Sequence, residues 1–361
     1  MPISGLGLTA ESYKNDMVLS MVHEKLVQSR IYDVINNALP ELKLMIGVDQ
    51  KGFAVTREDA DTRNAGIAVE GAGRLHIETG GSSIDIEVEF EENNTVAAYS
   101  RYGLINTMPQ EGFTRVFQDW SQYAASTVID GFSERVNGGA ESFFKILSAK
   151  SDQTLKSFRN RIADDLWLQD NAVVSDPLIL TGIPYYVSTT PTSGTPANVN
   201  RATNSWYQNV FNGSGGAVTE TAPSFAQRGT EDLFTMFLAA GAGAGVEEID
   251  VWIVNAQEMN RIFQRMSNSI MYTNTENGDP FFQSINMLGK PVIWTKKAPA
   301  GRIYGLNLDS WAVHVHSRAN FTPRAFQTPD DQDARVSLTL LQIAVINNNP
   351  RRNLVYSGVA A

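Results

Sequence analysis

The sequence predicts an α+β protein, helices packed with sheets of mixed strands, and three patterns carry that prediction. Apolar residues recur at helical spacing over 11–39 and again over 109–136. Between them, Ile84, Ile86, Val88 and Phe90 alternate with Asp85, Glu87 and Glu89 at the two-residue period of a strand. Beyond residue 249, short apolar runs alternate with turn residues as the strands of a sheet domain do.

In chain order, Val18, Val22, Leu26, Ile31, Val34, Ile35 and Leu39 predict one or two amphipathic helices that stop at Pro40. Residues 47–81 are polar, charged and glycine-containing, so they read as extended and poorly packed. The alternating segment then turns at Glu92-Asn93-Asn94 and returns over 95–107 with Val96, Ala98, Ser100, Tyr102 and Leu104, a long hairpin. One of its faces is too acidic to enter the core of its own domain, so the hairpin is predicted to project. Phe113, Val116, Phe117, Trp120, Ala124, Val128, Phe132 and Val136 fall at three- and four-residue steps and predict a helix over 109–136, started by Pro109 and ended by Asn137-Gly138-Gly139. It would be roughly 40 Å long. A second helix is predicted to be capped by Ser151 and to carry the stripe Leu155, Phe158, Ile162 and Leu166.

Residues 182–221 are rich in Thr, Asn, Ser, Gly and Pro and read as surface loops. A helix over 230–240, an apolar strand over 249–254, a capping box of Asn255 with Glu258, and a helical stripe of Met259, Ile262, Phe263, Met266 and Ile270 follow. Strands are predicted over 291–294, 303–308, 311–315 and 336–346. No repeat of 20–50 residues is visible in the sequence.

Subtracting 39 acidic from 29 basic residues gives a net charge of −10, which argues against a face that grips nucleic-acid phosphates. Cysteine is absent, so neither disulfides nor thiolate metal sites can hold the chain, as suits a reducing cytoplasm. No run of about 18 apolar residues marks a membrane span, and the first residues lack a basic segment before an apolar one. The chain is expected to be soluble and not exported.

No chemistry-bearing constellation completes itself. His314 and His316 share a strand face, yet no third metal ligand accompanies them at a recognisable spacing. Gly241-Ala242-Gly243-Ala244-Gly245 follows a helix and precedes a strand, the reverse of a phosphate-binding loop. Asp330, Asp331 and Asp333 lack the glycine and distal glutamate of a calcium loop. Glu87, Glu89 and Glu91 are spaced by strand alternation, one solvated face rather than a catalytic pair, and no Gly-x-Ser-x-Gly occurs. The sequence predicts no enzyme, no cofactor and no metal.

Two groups of residues carry a resemblance. Asn200-Arg201-Ala202-Thr203 followed by Trp206-Tyr207-Gln208-Asn209 resembles the Arg-Ser/Thr then Trp-Trp-Arg-Asn signature of the major capsid (head) proteins of tailed bacteriophages, with departures at Tyr207 and Gln208. Gly289-Lys290-Pro291-Val292, Tyr304-Gly305-Leu306-Asn307, His314, Phe321, 329–334 and Asn349-Pro350-Arg351-Arg352-Asn353 then come in the family's order. The resemblance implies the capsid fold, with an N-terminal arm (1–50), an extended loop with a β-hairpin (51–108), a peripheral domain with a long spine helix (109–181), an axial sheet domain (182–346) and a C-terminal segment (347–361) returning toward the peripheral domain. It implies hexamers and pentamers in an icosahedral shell, enclosing double-stranded DNA without sequence-specific binding, in a virion assembled in the host cytoplasm. Helical patterning begins by Glu11, leaving no room for a scaffolding segment, so a separate scaffolding protein is expected where one is needed, beside a portal and a decoration protein. Glu87, Glu89 and Glu91 with Arg351 and Arg352 are the candidate inter-subunit contacts. The sequence has no lysine between Lys51 and Lys145, so the hairpin offers no amine for cross-linking. The rival readings are a bacterial nanocompartment shell of the same fold and a phage tail or carbohydrate-binding protein.

Overall fold

A computed structural model describes residues 20, 23, 74–101, 103–104, 107–136, 140–168, 178–212, 225–241, 248–266, 286–330 and 332–358. The helices predicted over 11–39 lie outside these residues apart from Ser20 and His23, which are helical.

The first half runs β1 (Arg74–Glu78), β2 (Ser83–Glu89), β3 (Phe113–Asp119), β4 (Ser121–Asp130), a short helix α1 (Gly131–Val136) and a long helix α2 (Ala140–Leu168). Two predictions fail here. The segment 109–136 is not one helix but β3, β4 and α1, and the long helix comes after it. Residues 113–130 are dense in Phe, Val, Tyr, Thr, Trp and Ile, which prefer a pleated surface. Every second residue of β4, Ser121, Tyr123, Ala125, Thr127 and Ile129, turns inward, a pattern hidden beneath the helical steps. Pairing decides the matter: β4 lies antiparallel to the distant β12 (Ala334–Asn347) along its whole length. The hairpin also closes differently. β2 pairs with β3, Glu87 opposite Arg115, while no described residue of 95–107 is in a strand. β1 itself falls in the segment read as poorly packed.

Helix α2 has 29 residues and so spans about 44 Å. Its inner stripe, Leu147, Ser151, Leu155, Phe158, Ile162 and Leu166, is buried at steps of three and four. Ser151 is therefore not a cap; its hydroxyl donates to Leu147 O (2.8 Å) inside the helix. Gly182 passes the last turn so closely that a Cβ there would meet Leu166 O at 1.9 Å.

The second half adds α3 (Ile183–Tyr186), β5 (Val210–Phe211), α4 (Phe225–Ala240), β6 (Val251–Val254), α5 (Ala256–Met266), β7 (Asn286–Met287), β8 (Lys290–Trp294), β9 (Arg302–Leu306), β10 (Trp311–His316), β11 (Thr322–Pro323), β12 and β13 (Leu354–Ser357). The strands form a five-stranded sheet in which β12 is central, β4 on one side and β10 then β1 on the other, with β11 also on β12. A six-stranded sheet has the order β5-β13-β9-β6-β8-β7, and β2-β3 form a two-stranded ribbon. At the start of α5, Asn255 Oδ1 accepts from the Gln257 N–H (3.3 Å), but Glu258 turns away to accept from the Gly301 N–H (2.8 Å), so the predicted capping box does not close.

These sheets cut across the sequence boundaries. β10, β11 and β12 join β4 in the five-stranded sheet instead of staying with the rest of 182–346, and β13 joins β9 and β5 in the six-stranded sheet instead of returning to β4. One core gathers Leu155, Phe158, Ile162 and Leu166 of α2 with Trp311, Val313, Val345 and Ile346. A second lies where α4 and α5 meet β6, β9 and β13 through Phe225, Leu233, Met236, Trp252, Ile262 and Leu354. Each large apolar side chain enclosed this way contributes about 1.5–3 kcal/mol.

Candidate assembly surfaces

The ribbon sorts its side chains by strand alternation. Ile84 and Val116 are buried and Ile86 and Val88 pack against the core, while Asp85, Glu87 and Glu89 face outward beside Phe113, Arg115 and Phe117. Arg115 Nη2 lies 3.7 Å from Glu87 Oε1, with side chains 63% and 77% exposed, a pair that water screens heavily. Glu91 leaves this face because β2 ends at Glu89. It accepts from Asn94 Nδ2 (3.1 Å) in a turn where Asn93 Oδ1 takes the Thr95 N–H (2.9 Å).

The ribbon's root is fixed. Phe90 stacks on Trp206 at 5.4 Å, the Tyr186 hydroxyl donates to Gln118 Oε1 (2.9 Å), and the Phe90 N–H reaches Gly112 O (2.9 Å) to close the neck of the loop 91–111. Beyond that neck the described apolar side chains of the loop stand in solvent: Val96 is 84% and Leu104 100% exposed, and Tyr99 and Met108 are exposed as well. Apolar side chains so placed gain nothing from their own chain.

Several of the residues that carry the resemblance are buried joints. Arg201 is fully buried, and its guanidinium donates to Tyr186 O. Asn209 clamps Ser188, accepting its N–H (3.0 Å) and donating to its carbonyl (2.9 Å), and the Tyr207 hydroxyl donates to Asn347 O (2.7 Å). Buried Asn353 accepts from the Asn307 N–H (3.0 Å) and the Trp311 indole (3.1 Å) and donates to Ser310 Oγ (3.0 Å). Arg351 is exposed and Arg352 half-buried in the turn Pro350–Arg352 beside it. These hydrogen bonds tie the segments around 186–188, 201–209, 307–311 and 347–353 to one another.

Other groups were invisible in the sequence. Buried Asp165 on α2 accepts from the Tyr123 hydroxyl (2.8 Å) and Arg161 Nε (2.9 Å), and the Leu180 N–H donates back to Tyr123 (3.0 Å). Burial first and then Asp165 push the Tyr123 phenol far above its ordinary range. The Phe326 N–H donates to Ser20 Oγ (3.0 Å), and His23 lies buried 3.3 Å from Ser337 Oγ, its pKa lowered by burial to about 4. Only spatial proximity joins such residues, and no local pattern announces it.

His314 is buried against Glu78, and His316 meets the edge of Trp120 at 5.9 Å. Among the described residues no three His, Asp or Glu side chains converge as metal ligands. Asp333 pairs with Arg135 at 2.6 Å, and Asp331 lies outside the described residues. Gly241 follows α4 directly, while 242–247 are outside them. No helix among the described residues is long and apolar enough to cross a membrane.

No protein-family model matches the sequence, and no curated protein matches it. Solved structures do. The capsid asymmetric unit of cyanophage A-1(L) superposes with a TM-score of 0.58 at 13% identity, covering 79% of this chain and 90% of that one. The capsid of the native GTA particle superposes at 0.50 and 12% identity, covering 86% and 94%. The holo-SrpI encapsulin complex of Synechococcus elongatus PCC 7942 gives 0.48 at 12%, covering 85% and 96%. With a long helix over a five-stranded sheet, a separate six-stranded sheet and a two-stranded ribbon laid on the core, the chain has the fold of phage capsid proteins.

Proposed function

We propose that this chain is the major capsid protein of a tailed phage, assembling as hexamers and pentamers into an icosahedral head around double-stranded DNA. The observation that carries the reading is the loop 91–111, which holds Val96, Tyr99, Leu104 and Met108 in water on a ribbon rooted in the core. A neighbour that covers them recovers their hydrophobic free energy, so the loop gains stability only in an assembly. Charge supports the same contact: the outer ribbon face carries Asp85, Glu87 and Glu89, while the solvent side of α2 carries exposed Lys145, Lys150 and Lys156. Arg351 and Arg352 serve as further cationic contacts. In this reading residues 1–50 are an arm laid on a neighbour, 51–108 the extended loop, the five-stranded sheet with α2 the peripheral layer, and the six-stranded sheet the axial one. The chain acts structurally, not as an enzyme, with a portal, a scaffold and a decoration protein as partners. A surface of net charge −10 contains DNA without adhering to it.

The subunits are held by noncovalent contacts, because the ribbon has no lysine to act as a nucleophile. Negative-stain microscopy of the purified protein tests the whole reading. Closed particles or rings of five and six are expected, and a stable monomer at micromolar concentration would overturn it. Particles filled with a protein cargo instead of DNA would transfer the fold to a nanocompartment. Boiled particles are expected to run as one band near 39.6 kDa; a covalent ladder would refute the noncovalent shell.

A further inference from the structure

Strand β1 lies at the edge of the five-stranded sheet and pairs in parallel with β10, His76 opposite His314 and Glu78 opposite His316. The two imidazoles stack at 4.7 Å, their planes 14° apart. His314 is 5% exposed; its Nδ1 lies 3.2 Å from Glu78 Oε1, and its Nε2 is buried with no hydrogen-bond partner. The titratable groups around it are His76 and Glu78 from β1 and His316 two residues along β10, while the β12 position opposite it is Ala344. Just past β1, Gly81 O accepts from the Trp120 indole (3.2 Å), and the chain enters β2. The stack therefore sits where the ribbon's first leg joins the sheet.

We propose that the His76–His314 stack is an acid-operated release: protonation of the stacked imidazoles unzips β1 from β10 and frees the near leg of the ribbon. Two cations stacked at this distance repel each other, and the buried one loses its hydration, whereas after release His76 carries its proton in water on the freed β1 and His314 carries its own on the uncovered edge of β10. Burial, then the neighbouring His76, lower the His314 pKa to about 4 despite the opposing pull of Glu78. A folded pKa below the unfolded 6.5 means that the zipped state binds the proton less well than the released one. The zipped state is then fully favoured well above pH 6.5 and loses ground as pH falls, by up to tenfold per unit, toward a limit of about 300-fold for His314 alone well below pH 4. β1 is a five-residue edge strand in parallel pairing, which is slightly less stable per residue than antiparallel pairing. The release concerns a single chain and stands independently of the shell reading.

Hydrogen exchange of the 74–78 amides in the intact protein, followed from pH 7 to 4 and scaled by intrinsic exchange rates, tests it. Protection is expected to fall about 80-fold between pH 6.5 and 4, while the β4–β12 amides stay protected. His314→Phe keeps a ring in the stack but cannot take a proton, so its protection is expected to remain flat; His76→Phe serves if that variant does not fold. Glu78→Gln removes the carboxylate that favours protonated His314 and is expected to move the release to higher pH. Flat protection in the wild type, equal loss in the ring variants, loss of the β4–β12 amides in the same range, or a shift to lower pH in Glu78→Gln would each overturn the proposal.

Discussion

The β4–β12 ladder and the β2–β3 ribbon are both antiparallel pairs with alternating side chains, yet they end in opposite environments. β4 is roofed by α2 on one side, and its other face carries Gln122, Ala124, Ser126 and Val128, with a single charge, Asp130, at its end. The ribbon's inner face, Ile84, Ile86, Val88 and Val116, is covered too, but its outer face sets Asp85, Glu87 and Glu89 beside Phe113 and Phe117. Alternation alone makes a strand. The outer face decides whether that strand completes its own fold or awaits a second molecule, because charge mixed with large aromatics suits neither a core nor bulk water.

The comparison is sharpened most by equal truncations in the two regions. Phe158→Ala empties a site between α2 and Phe321, whose rings meet edge-on at 5.7 Å, and is expected to cost about 3–5 kcal/mol in denaturant unfolding of the subunit. Leu104→Ala, at a fully exposed tip, is expected to change subunit stability by less than about 0.5 kcal/mol while particle yield collapses. A comparable stability loss at Leu104 would break the comparison, since the loop would then pack within its own chain.

A smaller effect is expected from Tyr123→Phe, which removes the hydroxyl between Asp165 and the Leu180 N–H. Both partners are left short of a hydrogen bond beneath α2, at a cost of about 1–3 kcal/mol. Chemical denaturation of the wild type and variant side by side measures it. No change would mean that Arg161 alone satisfies Asp165.

The parts of the fold that were legible in the sequence are those fixed by local pattern. Strands such as β6, β10 and β12 and the stripe Leu155, Phe158, Ile162 and Leu166 emerged in place, because their burial period lies within one element. Residues 113–130 went wrong since Phe113, Val116, Phe117 and Trp120 satisfy a helical step, whereas pairing selects the strands: β2 for β3, and β12, about 200 residues on, for β4. β1 was invisible for the same reason: Glu78 and His314 are 236 positions apart. The acidic ribbon face was readable from Asp85, Glu87 and Glu89, but its partner strand was misplaced because the loop, not the turn at Asn93, separates β2 from β3. The clamps of Asn209 and Asn353 could be noticed only as family-like segments, with no hint of what they hold.

The finest test reverses charge on the ribbon without touching its root. Glu87 and Glu89 point outward, and the Glu87–Arg115 pair is too exposed for the subunit to depend on it, since exposed pairs contribute roughly 0 to 1 kcal/mol. Glu87→Lys with Glu89→Lys is therefore expected to leave the unfolding midpoint of the isolated chain nearly unchanged. It places two cations beside Arg115 on a surface that in the proposed assembly meets Lys145, Lys150 and Lys156 of a neighbour, so each copy of that proposed contact would turn from attractive to repulsive. Assembly followed by light scattering at low ionic strength is expected to fail in this variant and to recover partly as salt shortens the screening length. Glu87→Gln with Glu89→Gln, which removes attraction without adding repulsion, is expected to fall between the two. Normal assembly of the lysine variant would show that the ribbon docks through Phe113, Phe117 and the loop 91–111 alone, leaving its carboxylates to solvent.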